Sequence, residues 1–445
     1  MKLPVPFLTE IQALLGDETD AFLKSYEADR HLGLRVNRLK IEVEDFLKIS
    51  PFKLKPIPWT TDGFYYEEED RPAKHPFYHA GLYYLQEPSA MAPVGVLDPQ
   101  PGEVVLDLCA CPGGKTLQIA AALGGKGAIV ANDISTGRIK ALVRNLEMAG
   151  ATNVLVINET EEKLGARFEN VFDRALLDAP CSGEGMFRKD RKAVEAWSGD
   201  APVQFRAVQD RLLDETAKML KPGGRLVYST CTFNRLENEM ALEAFLARHE
   251  RFSRKQPGPA LGLDFRTGYG RLWPHLHEGE GHFIGCLEKH ADGHENRPPR
   301  SQESPPSEVS NLPEAYKNFE AENLTIALSG QFYLNESKLY RLPEGLPSTQ
   351  GLRVSRSGWY LGEVKNGRFI PSGAFAMGLK ATDAKRVIRF KADTIEVIRY
   401  LKGETLSVEG EDGLNLICVE DYPLGWGKLS KGVLKNQYPA AWRML

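Results

Sequence analysis

The sequence predicts an α/β fold, with a parallel sheet in the middle of the chain and small α+β domains on either side of it. Between residues 86 and 289, apolar runs of strand length alternate with stretches of helical period. Such alternation is typical of a parallel sheet covered by helices on both faces. Three of the strand-like runs end in motifs rich in glycine or cysteine, and a Pro- and Ser-rich stretch follows the region.

Length and composition limit the classes of protein to which the chain can belong. With 445 residues we expect about two to four domains. No run approaches the roughly 18 apolar residues of a membrane span, and the first residues lack the apolar core of a signal peptide. A formal charge of -4 means that any RNA contact depends on local basic patches. Six cysteines in so long a chain suit a reducing compartment, so we expect a cytoplasmic protein.

The region before the sheet, residues 1–83, is predicted to be a small α+β domain. A helix-like pattern covers residues 7–26, and strand candidates follow at 34–37 (LRVN) and 63–66. In the core, residues 84–289, strands are predicted at 104–107, 128–133, 154–158, 175–178 and 225–229. Helices are predicted at 137–149 and 202–220, and a late strand at 282–287.

The chain after the core begins with a solvated linker at 290–310. No Leu, Ile, Val or Phe occurs between Leu287 and Val309, and two Pro-Pro pairs lie in this charged, serine-rich stretch. Small domains are predicted at 311–378 and 379–445. Because a linker of this kind tethers separate domains, we expect the core to fold without the part that follows it.

The three strand-end motifs are CACPGGKT (109–116), DAPCSG (178–183) and STCT (229–232). In an open parallel sheet, ligands bind beyond the carboxyl ends of the strands, so these motifs are expected to meet at one rim. A glycine loop and two thiols, Cys181 and Cys231, are therefore predicted to share a cleft.

These motifs resemble those of the Nop/Sun family of S-adenosylmethionine-dependent RNA cytosine-5 methyltransferases, most closely its bacterial ribosomal RNA small-subunit methyltransferase F group. The segments that carry the resemblance are LQEPSAMAP, DLCACPGGKT, LDAPCSGEGMFRKD and YSTCTFNRLENE. It implies a Rossmann-like class I methyltransferase sheet with an antiparallel late strand. It also implies an N-terminal RNA-binding domain and a PUA-like RNA-binding domain at 379–445. For LRVN, a buried edge strand is an equal alternative to the start of the RNA-binding region.

The glycine loop and Asp133 indicate a nucleoside cofactor. Gly113 and Gly114 let the backbone pass close to a ligand, and Asp133, at the end of the second strand, can accept both hydroxyls of a ribose. No GxxxxGK[ST] spacing is present, which favours S-adenosylmethionine over ATP or a dinucleotide. The resemblance places Arg138 beside the ribose and adds Asp178 to the cofactor contacts. It assigns the methionine part to Cys109, Ala110, Cys111, Pro112, Gly113, Gly114 and Lys115. A capped helix start with a salt bridge is the alternative for Asp133 and Arg138.

Methylation of cytosine at carbon 5 explains why the cleft holds thiols. A thiolate that adds to carbon 6 turns the ring into an enamine, and its carbon 5 can then attack a methyl sulfonium. Asp178 is placed to neutralise charge at ring nitrogen 3, if it is protonated or shares a proton. Spacing leaves open which cysteine attacks; the resemblance assigns the attack to Cys231 and assistance in release to Cys181.

Other features have competing interpretations. Three roles are open for Lys115: it lowers the pKa of a neighbouring thiol, it holds the cofactor or the substrate, or it is a solvated residue at the start of a helix. Cys109 and Cys111 lack the spacing of a zinc site, and no metal is expected. Cys286 and Cys418 lie in apolar runs and are expected in the core. The sequence departs from the family pattern at Cys111, at Asn158-Glu159-Thr160, and at His282, where Phe is common.

Two basic runs are candidate RNA contacts, with solvated charged faces as their alternative. The first is Arg188, Lys189, Arg191 and Lys192, and the second is Lys385, Arg386, Arg389, Lys391, Arg399 and Lys402.

The leading hypothesis is a monomeric cytosine-5 methyltransferase that acts on 16S ribosomal RNA, alone or in the small subunit, through a covalent cysteine adduct. No DNA or membrane partner is expected. An amino-group methyltransferase is disfavoured because DAPC replaces the Asn/Asp-Pro-Pro-Tyr/Phe motif of those enzymes. A transfer-RNA cytosine-5 methyltransferase and a non-catalytic RNA-binding assembly factor are the remaining alternatives.

Overall fold

The computed structural model describes residues 3–258, 263, 265, 268–291 and 312–444. The predicted linker lies outside the described residues, apart from His290 and Ala291. The helices and strands of the N-terminal region are α1 (Val5–Leu15), α2 (Thr19–Ser25), β1 (Gly33–Val36), α3 (Val43–Ile49), β2 (Lys55–Pro56), β3 (Gly63–Tyr65), α4 (Pro76–His79) and β4 (Tyr83–Leu85).

The N-terminal sheet has the order β2-β3-β1-β4, with antiparallel neighbours. The LRVN strand β1 lies between two others, so the prediction of an edge strand is wrong in position, although the strand is buried as expected. The single helix predicted over 7–26 is interrupted at Gly16, whose φ of 54° is left-handed and ends α1. A short 3-10 turn then leads into α2.

The core contains both predicted helices and all the predicted strands. Its elements are α5 (Ala92–Leu97), β5 (Val104–Asp107), α6 (Gly114–Leu123), β6 (Ala128–Asn132), α7 (Thr136–Met148), β7 (Val154–Ile157), α8 (Glu161–Arg167), β8 (Phe172–Asp178), α9 (Arg191–Ala196), α10 (Ala201–Met219), β9 (Leu220–Thr230), α11 (Glu239–Arg248), β10 (Phe252–Arg254), β11 (Tyr269–Leu272) and β12 (His282–Lys289).

The central sheet has the order β10-β12-β9-β8-β5-β6-β7, with β11 beside β12. Strands β5 to β9 run parallel to one another, and β12 pairs antiparallel with β9, as the resemblance implied. Every residue of β6 and β7 is buried, because helices cover both faces of the sheet. The Rossmann-like α/β fold is confirmed, and the carboxyl ends of β5, β8 and β9 meet at one rim.

The C-terminal region holds two further sheets. Its elements are α12 (Glu314–Asn323), β13 (Phe332–Asn335), β14 (Lys338–Arg341), β15 (Val354–Ser357), β16 (Trp359–Lys365), β17 (Arg368–Pro371), α13 (Gly373–Gly378), β18 (Val387–Phe390), α14 (Ile395–Leu401), β19 (Leu406–Ser407), β20 (Gly413–Val419), β21 (Tyr422–Ser430) and β22 (Val433–Asn436). The sheet orders are β13-β14-β16-β17 and β18-β20-β21-β22-β19.

Strand β15 belongs to neither of these sheets. It pairs antiparallel with β7 and so extends the central sheet at the edge opposite β10. From within this strand, the buried guanidinium of Arg356 donates to the carbonyl oxygen of Ala151 at 2.6 Å. A backbone ladder and a buried cation therefore join the core to the chain beyond the linker at this edge. The expectation that the core folds without that part stays a prediction.

None of the described helices is both long and apolar enough to cross a bilayer.

Candidate active site

A cleft of about 390 Å³ opens at the rim where β5, β8 and β9 end. This volume is within the range of small-molecule sites in proteins. Tyr84 to Glu87, in and just after strand β4 of the N-terminal sheet, form one wall, and the ends of the central strands form the other. Among the predicted site residues, the cleft is lined by Cys109, Ala110, Cys111, Pro112, Gly114, Lys115, Arg138, Asp178 and Cys231.

The glycine loop turns from β5 into α6 where side chains would collide. Gly113 has a φ of 111°, and a Cβ on Gly114 would lie 2.9 Å from a ring carbon of Tyr84. From the LRVN strand, Arg35 reaches the loop and donates to the carbonyl oxygen of Gly114 at 2.8 Å. Arg35 is fully buried, so LRVN supports the floor of the cleft from inside the protein.

Asp107, the last residue of β5, is a cleft residue that the sequence analysis did not single out. Its Oδ2 accepts a hydrogen bond from Thr116 at 2.6 Å, while its buried Oδ1 has no partner. Burial raises the pKa of this carboxyl to about 7. A buried acceptor without a partner is costly, and it suits a cationic group of a ligand, such as the α-ammonium of an amino acid. An acidic residue that ends the first strand before a glycine loop would have been the sequence signal.

Asp133 lies at the adjoining strand end, as predicted. Its carboxylate accepts from the Ser135 amide at 2.8 Å and lies 3.4 Å from the Arg138 guanidinium. Arg138 also donates to the carbonyl oxygen of Cys111 at 2.7 Å. The salt bridge of the alternative interpretation is thus present, whereas α7 has no side-chain cap at its start. Arg138 lines the cleft, however, which keeps this pair beside the ligand space.

The departures at 158–160 point away from the cleft. Asn158 donates to the carbonyl oxygen of Asp133 at 2.7 Å. The buried carboxylate of Glu159 accepts from the Arg353 amide at 3.0 Å and from the Arg353 guanidinium at 3.2 Å. Arg353 immediately precedes β15, so Glu159 fastens the C-terminal region to the end of β7.

Asp178 lies among polar side chains from three separate elements. Lys115 Nζ lies 2.7 Å from Oδ2, Ser229 Oγ donates to Oδ1 at 2.8 Å, and His282 Nε2 lies 3.4 Å from Oδ1. Burial alone would raise the pKa of Asp178, but Lys115 and His282 outweigh it and hold the pKa well below its usual value. The carboxyl is therefore ionised. The solvated-helix alternative for Lys115 is wrong, because its side chain is only 11% exposed and pairs with Asp178.

The two thiols lie in contact. Cys181 Sγ and Cys231 Sγ are 3.5 Å apart, although fifty residues separate them in the chain. The hydrogen bond with Cys231 and burial together raise the pKa of Cys181 well above its usual value. Cys181 is thus held as a protonated thiol, which suits proton donation better than attack.

The loops that carry the thiols are joined by several hydrogen bonds. Gly185 donates its amide to the carbonyl oxygen of Cys231 at 2.8 Å, and the hydroxyls of Ser182 and Thr232 are 2.8 Å apart. The buried carboxylate of Glu237 accepts from the Ser182 amide at 3.0 Å and from Gln209 at 2.9 Å. This network fixes the relative position of the thiols, as preorganised catalysis requires.

The first basic run divides between different roles. Arg188 is buried, with its Nε 2.9 Å from the carboxylate of Glu280, and it also donates to the carbonyl oxygen of Ser25. Only Lys189 of the four residues is among those that line the cleft. The prediction that Arg188 contacts phosphate is therefore wrong, since its charge is already neutralised inside the protein.

Cys286 and Cys418 lie in the core, as expected. Within the described ranges, no group of three or more His, Cys, Asp or Glu side chains is arranged to hold a metal ion.

Comparison with known proteins identifies the family. A protein called ribosomal RNA small subunit methyltransferase F from Erwinia tasmaniensis is 33% identical, with 98% of this chain and 96% of that protein aligned. A protein of the same name from Escherichia coli is 32% identical, over 98% and 95% of the two chains. The chain belongs to the ribosomal RNA small subunit methyltransferase F family.

Family profiles match each region of the chain. They describe the N-terminal domain of 16S rRNA methyltransferase RsmF (3–88), 16S rRNA methyltransferase RsmB/F (94–288), the first C-terminal domain of RsmF (318–379) and the methyltransferase RsmF PUA domain (387–444). The membership stated as a resemblance is thus confirmed, as is the PUA-like C-terminal domain.

Solved structures share the fold. A methyltransferase homologue from Pyrococcus horikoshii matches with a TM-score of 0.55 and 31% identity, over 64% of this chain and 94% of its own. NSun6 from the same organism, solved with SFG, matches with a TM-score of 0.56 and 23% identity, over 65% and 99% of the two chains.

Proposed function

We propose that this family member transfers the methyl group of S-adenosylmethionine to carbon 5 of a cytosine in 16S ribosomal RNA, through a covalent bond between Cys231 and the base. The observation that carries the proposal is the pair of thiols 3.5 Å apart, beside a carboxylate paired with Lys115. The family profiles and the names of the relatives support small-subunit RNA as the substrate.

The residues of the cleft fit S-adenosylmethionine. The unpartnered Oδ1 of Asp107 suits its ammonium group, and the amides that follow Gly113 suit its carboxylate. Asp133 lies next to the cleft residue Arg138 and is the residue proposed for the ribose. When bound, the cofactor supplies an electrophilic methyl group. The protein must then make carbon 5 of the cytosine nucleophilic, which an aromatic ring resists.

Cys231 provides this activation. Its sulfur forms a bond to carbon 6 while its thiol proton passes to ring nitrogen 3, and the electron pair of the ring double bond makes carbon 5 nucleophilic. Transfer of the carbon 5 proton to solvent water then re-forms the double bond and expels the thiolate of Cys231. Cys181 lies in contact with the leaving sulfur and is placed to give it a proton.

Asp178 acts as an ionised group. Because Lys115 and His282 keep the carboxylate charged, it accepts hydrogen bonds from the cytosine and shares the proton that nitrogen 3 gains. Of the two options left open by the sequence, sharing is therefore favoured over donation by a neutral acid. Lys115 orients the carboxylate between cofactor and base.

Bisulfite sequencing of ribosomal and transfer RNA from cells with and without the protein tests the proposal. Loss of one or more methylcytosines from 16S ribosomal RNA is expected. A loss confined to transfer RNA would support the transfer-RNA alternative. Unchanged methylation, with altered subunit assembly, would favour the non-catalytic factor.

A further inference from the structure

A second recess opens directly from the active-site cleft. It has a volume of about 190 Å³ and shares Leu85, Gln86, Glu87, Lys189 and Glu280 with the cleft. Its outer wall comes from the N-terminal region and consists of Arg30, His31, Leu32, Gly33 and Tyr66. The recess is smaller than most sites for independent small molecules, and its continuity with the cleft suits the next unit of a polymer bound there.

The two acidic residues of the recess are both engaged by groups of the protein itself. Both oxygens of Glu87 are occupied by protein donors, among them the amides of Ser89, Ala90 and Glu280 at 2.8 to 3.0 Å. Glu280 is buried and paired with Arg188 at 2.9 Å.

The cations of the recess are available to a ligand. Arg30 and Lys189 are exposed, and neither forms a salt bridge with any residue in the described part of the chain. The carboxylates are therefore committed to the fold, while two positive charges face the opening.

Flat side chains stand next to these charges. Tyr66 is half-buried in the wall of the recess. Burial and the nearby Arg188 lower the pKa of His31, so its imidazole is neutral at physiological pH. Aromatic rings beside unpaired cations are the combination by which proteins hold single-stranded RNA, because bases stack on the rings and phosphates meet the cations.

We propose that this recess binds the nucleotide adjacent to the target cytosine, with Tyr66 stacking on its base and with Arg30 and Lys189 contacting the flanking phosphates. The inference rests on the proposed function, since it takes a cytosine in the cleft as given. The N-terminal region would then contact the unpaired nucleotides next to the target cytosine directly. The adjacent nucleotide would reach the recess only when the target cytosine is rotated into the cleft, which unstacks the strand around it.

The test uses the full-length protein and a small-subunit RNA fragment that contains the cytosine methylated by the unaltered protein. Versions of this fragment carry an abasic nucleotide on either side of the target, which removes a base but keeps its phosphates. With the unaltered protein, one abasic fragment is expected to have a KM higher by on the order of tenfold, the effect of losing one stacked base. With Tyr66→Ala, intact and abasic fragments should have equal KM values, whereas Tyr66→Phe should restore the difference.

The cations are tested by salt dependence. Arg30→Ala/Lys189→Ala should weaken RNA binding and lower the slope of log Kd against log salt by about 0.7 for each lost phosphate contact. Lys53→Ala/Lys74→Ala removes the same charge from exposed positions of the N-terminal region outside the recess, and its slope should change less.

The outcomes separate the two proposals. If the unaltered protein methylates no cytosine, the proposed function fails. If it methylates the fragment, but Tyr66→Ala keeps the abasic penalty and both double variants have equal slopes, the recess does not bind the adjacent nucleotide.

Discussion

At the residue scale, the two thiols differ in what surrounds them, and this difference yields a prediction. Cys231→Ala should abolish both methyl transfer and covalent attachment to RNA. Cys181→Ala should leave the attack intact and slow the release, so a protein–RNA adduct accumulates. Denaturing gels of the variants mixed with labelled RNA and S-adenosylmethionine check this, with the buried Cys418→Ala as a control that forms no excess adduct. An adduct with Cys231→Ala and none with Cys181→Ala would reverse the assignment.

Asp107 offers a prediction about both binding and stability. Its pKa of about 7 in the fold lies above the usual value of 3.8, so the protonated carboxyl favours the folded state. This contribution is complete below about pH 4 and is lost as pH rises through 7, a change on the order of 4 kcal/mol. Asp107→Asn has no such loss, so without ligand it should gain stability relative to the unaltered protein between pH 5 and pH 8.

The same substitution should weaken S-adenosylmethionine binding by about tenfold or more, because the amide cannot pair with a cation. Urea unfolding at both pH values and calorimetry of cofactor binding measure the two effects. Unchanged cofactor affinity would place Asp107 outside the cofactor site. A difference in unfolding free energy between the two proteins that does not vary with pH would show that burial does not raise the pKa of Asp107.

At the scale of elements, the hairpin β21–β22 is the C-terminal surface with the clearest unbalanced charge. Lys428 and Lys435 are exposed and directly opposite each other across the two strands. Like charges in this arrangement repel, so a phosphate between them would be stabilised. By contrast, Arg389 and Lys391 of the second basic run lie 2.8 and 2.9 Å from Asp421 and Glu420.

Lys428→Ala/Lys435→Ala should therefore lower RNA affinity and the salt slope of binding, without loss of folding stability. Arg389→Ala/Lys391→Ala removes the same charge but frees two carboxylates from their partners, and it serves as the matched control. Filter-binding titrations at several salt concentrations compare them. A larger loss of slope in the control would move the RNA contact to the second basic run.

Local patterns predicted the elements well. Strand β5 has the predicted bounds, β6 and β7 end one residue early, and α7 and α10 are each shifted by one residue. Apolar periodicity and motif position are properties of neighbouring residues, so a sequence displays them. Whether Arg188 and the second basic run form ion pairs depends on residues that are distant in the sequence. A run of charges cannot show whether it faces solvent or carboxylates.

At the scale of the whole molecule, the same limit explains why β15 was missed. Its four residues, Val354–Ser357, carry no strand signal of their own, and they form a strand because β7 offers an open edge. The Pro- and Ser-rich linker indicated separate parts, whereas the ladder and the contact between Arg353 and Glu159 join them.

Removal of the chain after residue 289 should therefore do more than weaken RNA binding. It exposes β7 as an edge and leaves the buried Glu159 without Arg353, so the truncated protein should unfold at lower urea concentration and bind S-adenosylmethionine less tightly. Arg353→Ala in the full-length chain should show a smaller change in the same direction. A truncated protein with full stability and cofactor affinity would show that β15 is dispensable.

The pairing of β7 with β15 also has a consequence for synthesis. The ribosome makes β15 about 200 residues after β7, which at about 5–20 residues per second leaves the edge of β7 open for roughly 10–40 s. During that interval the nascent sheet presents an unpaired hydrogen-bonding edge of the kind that promotes aggregation. The fastening of Glu159 by Arg353 must likewise wait until nearly four-fifths of the polypeptide has been synthesised. The edge of the central sheet that carries Glu159 is thus completed only after most of the chain has been synthesised.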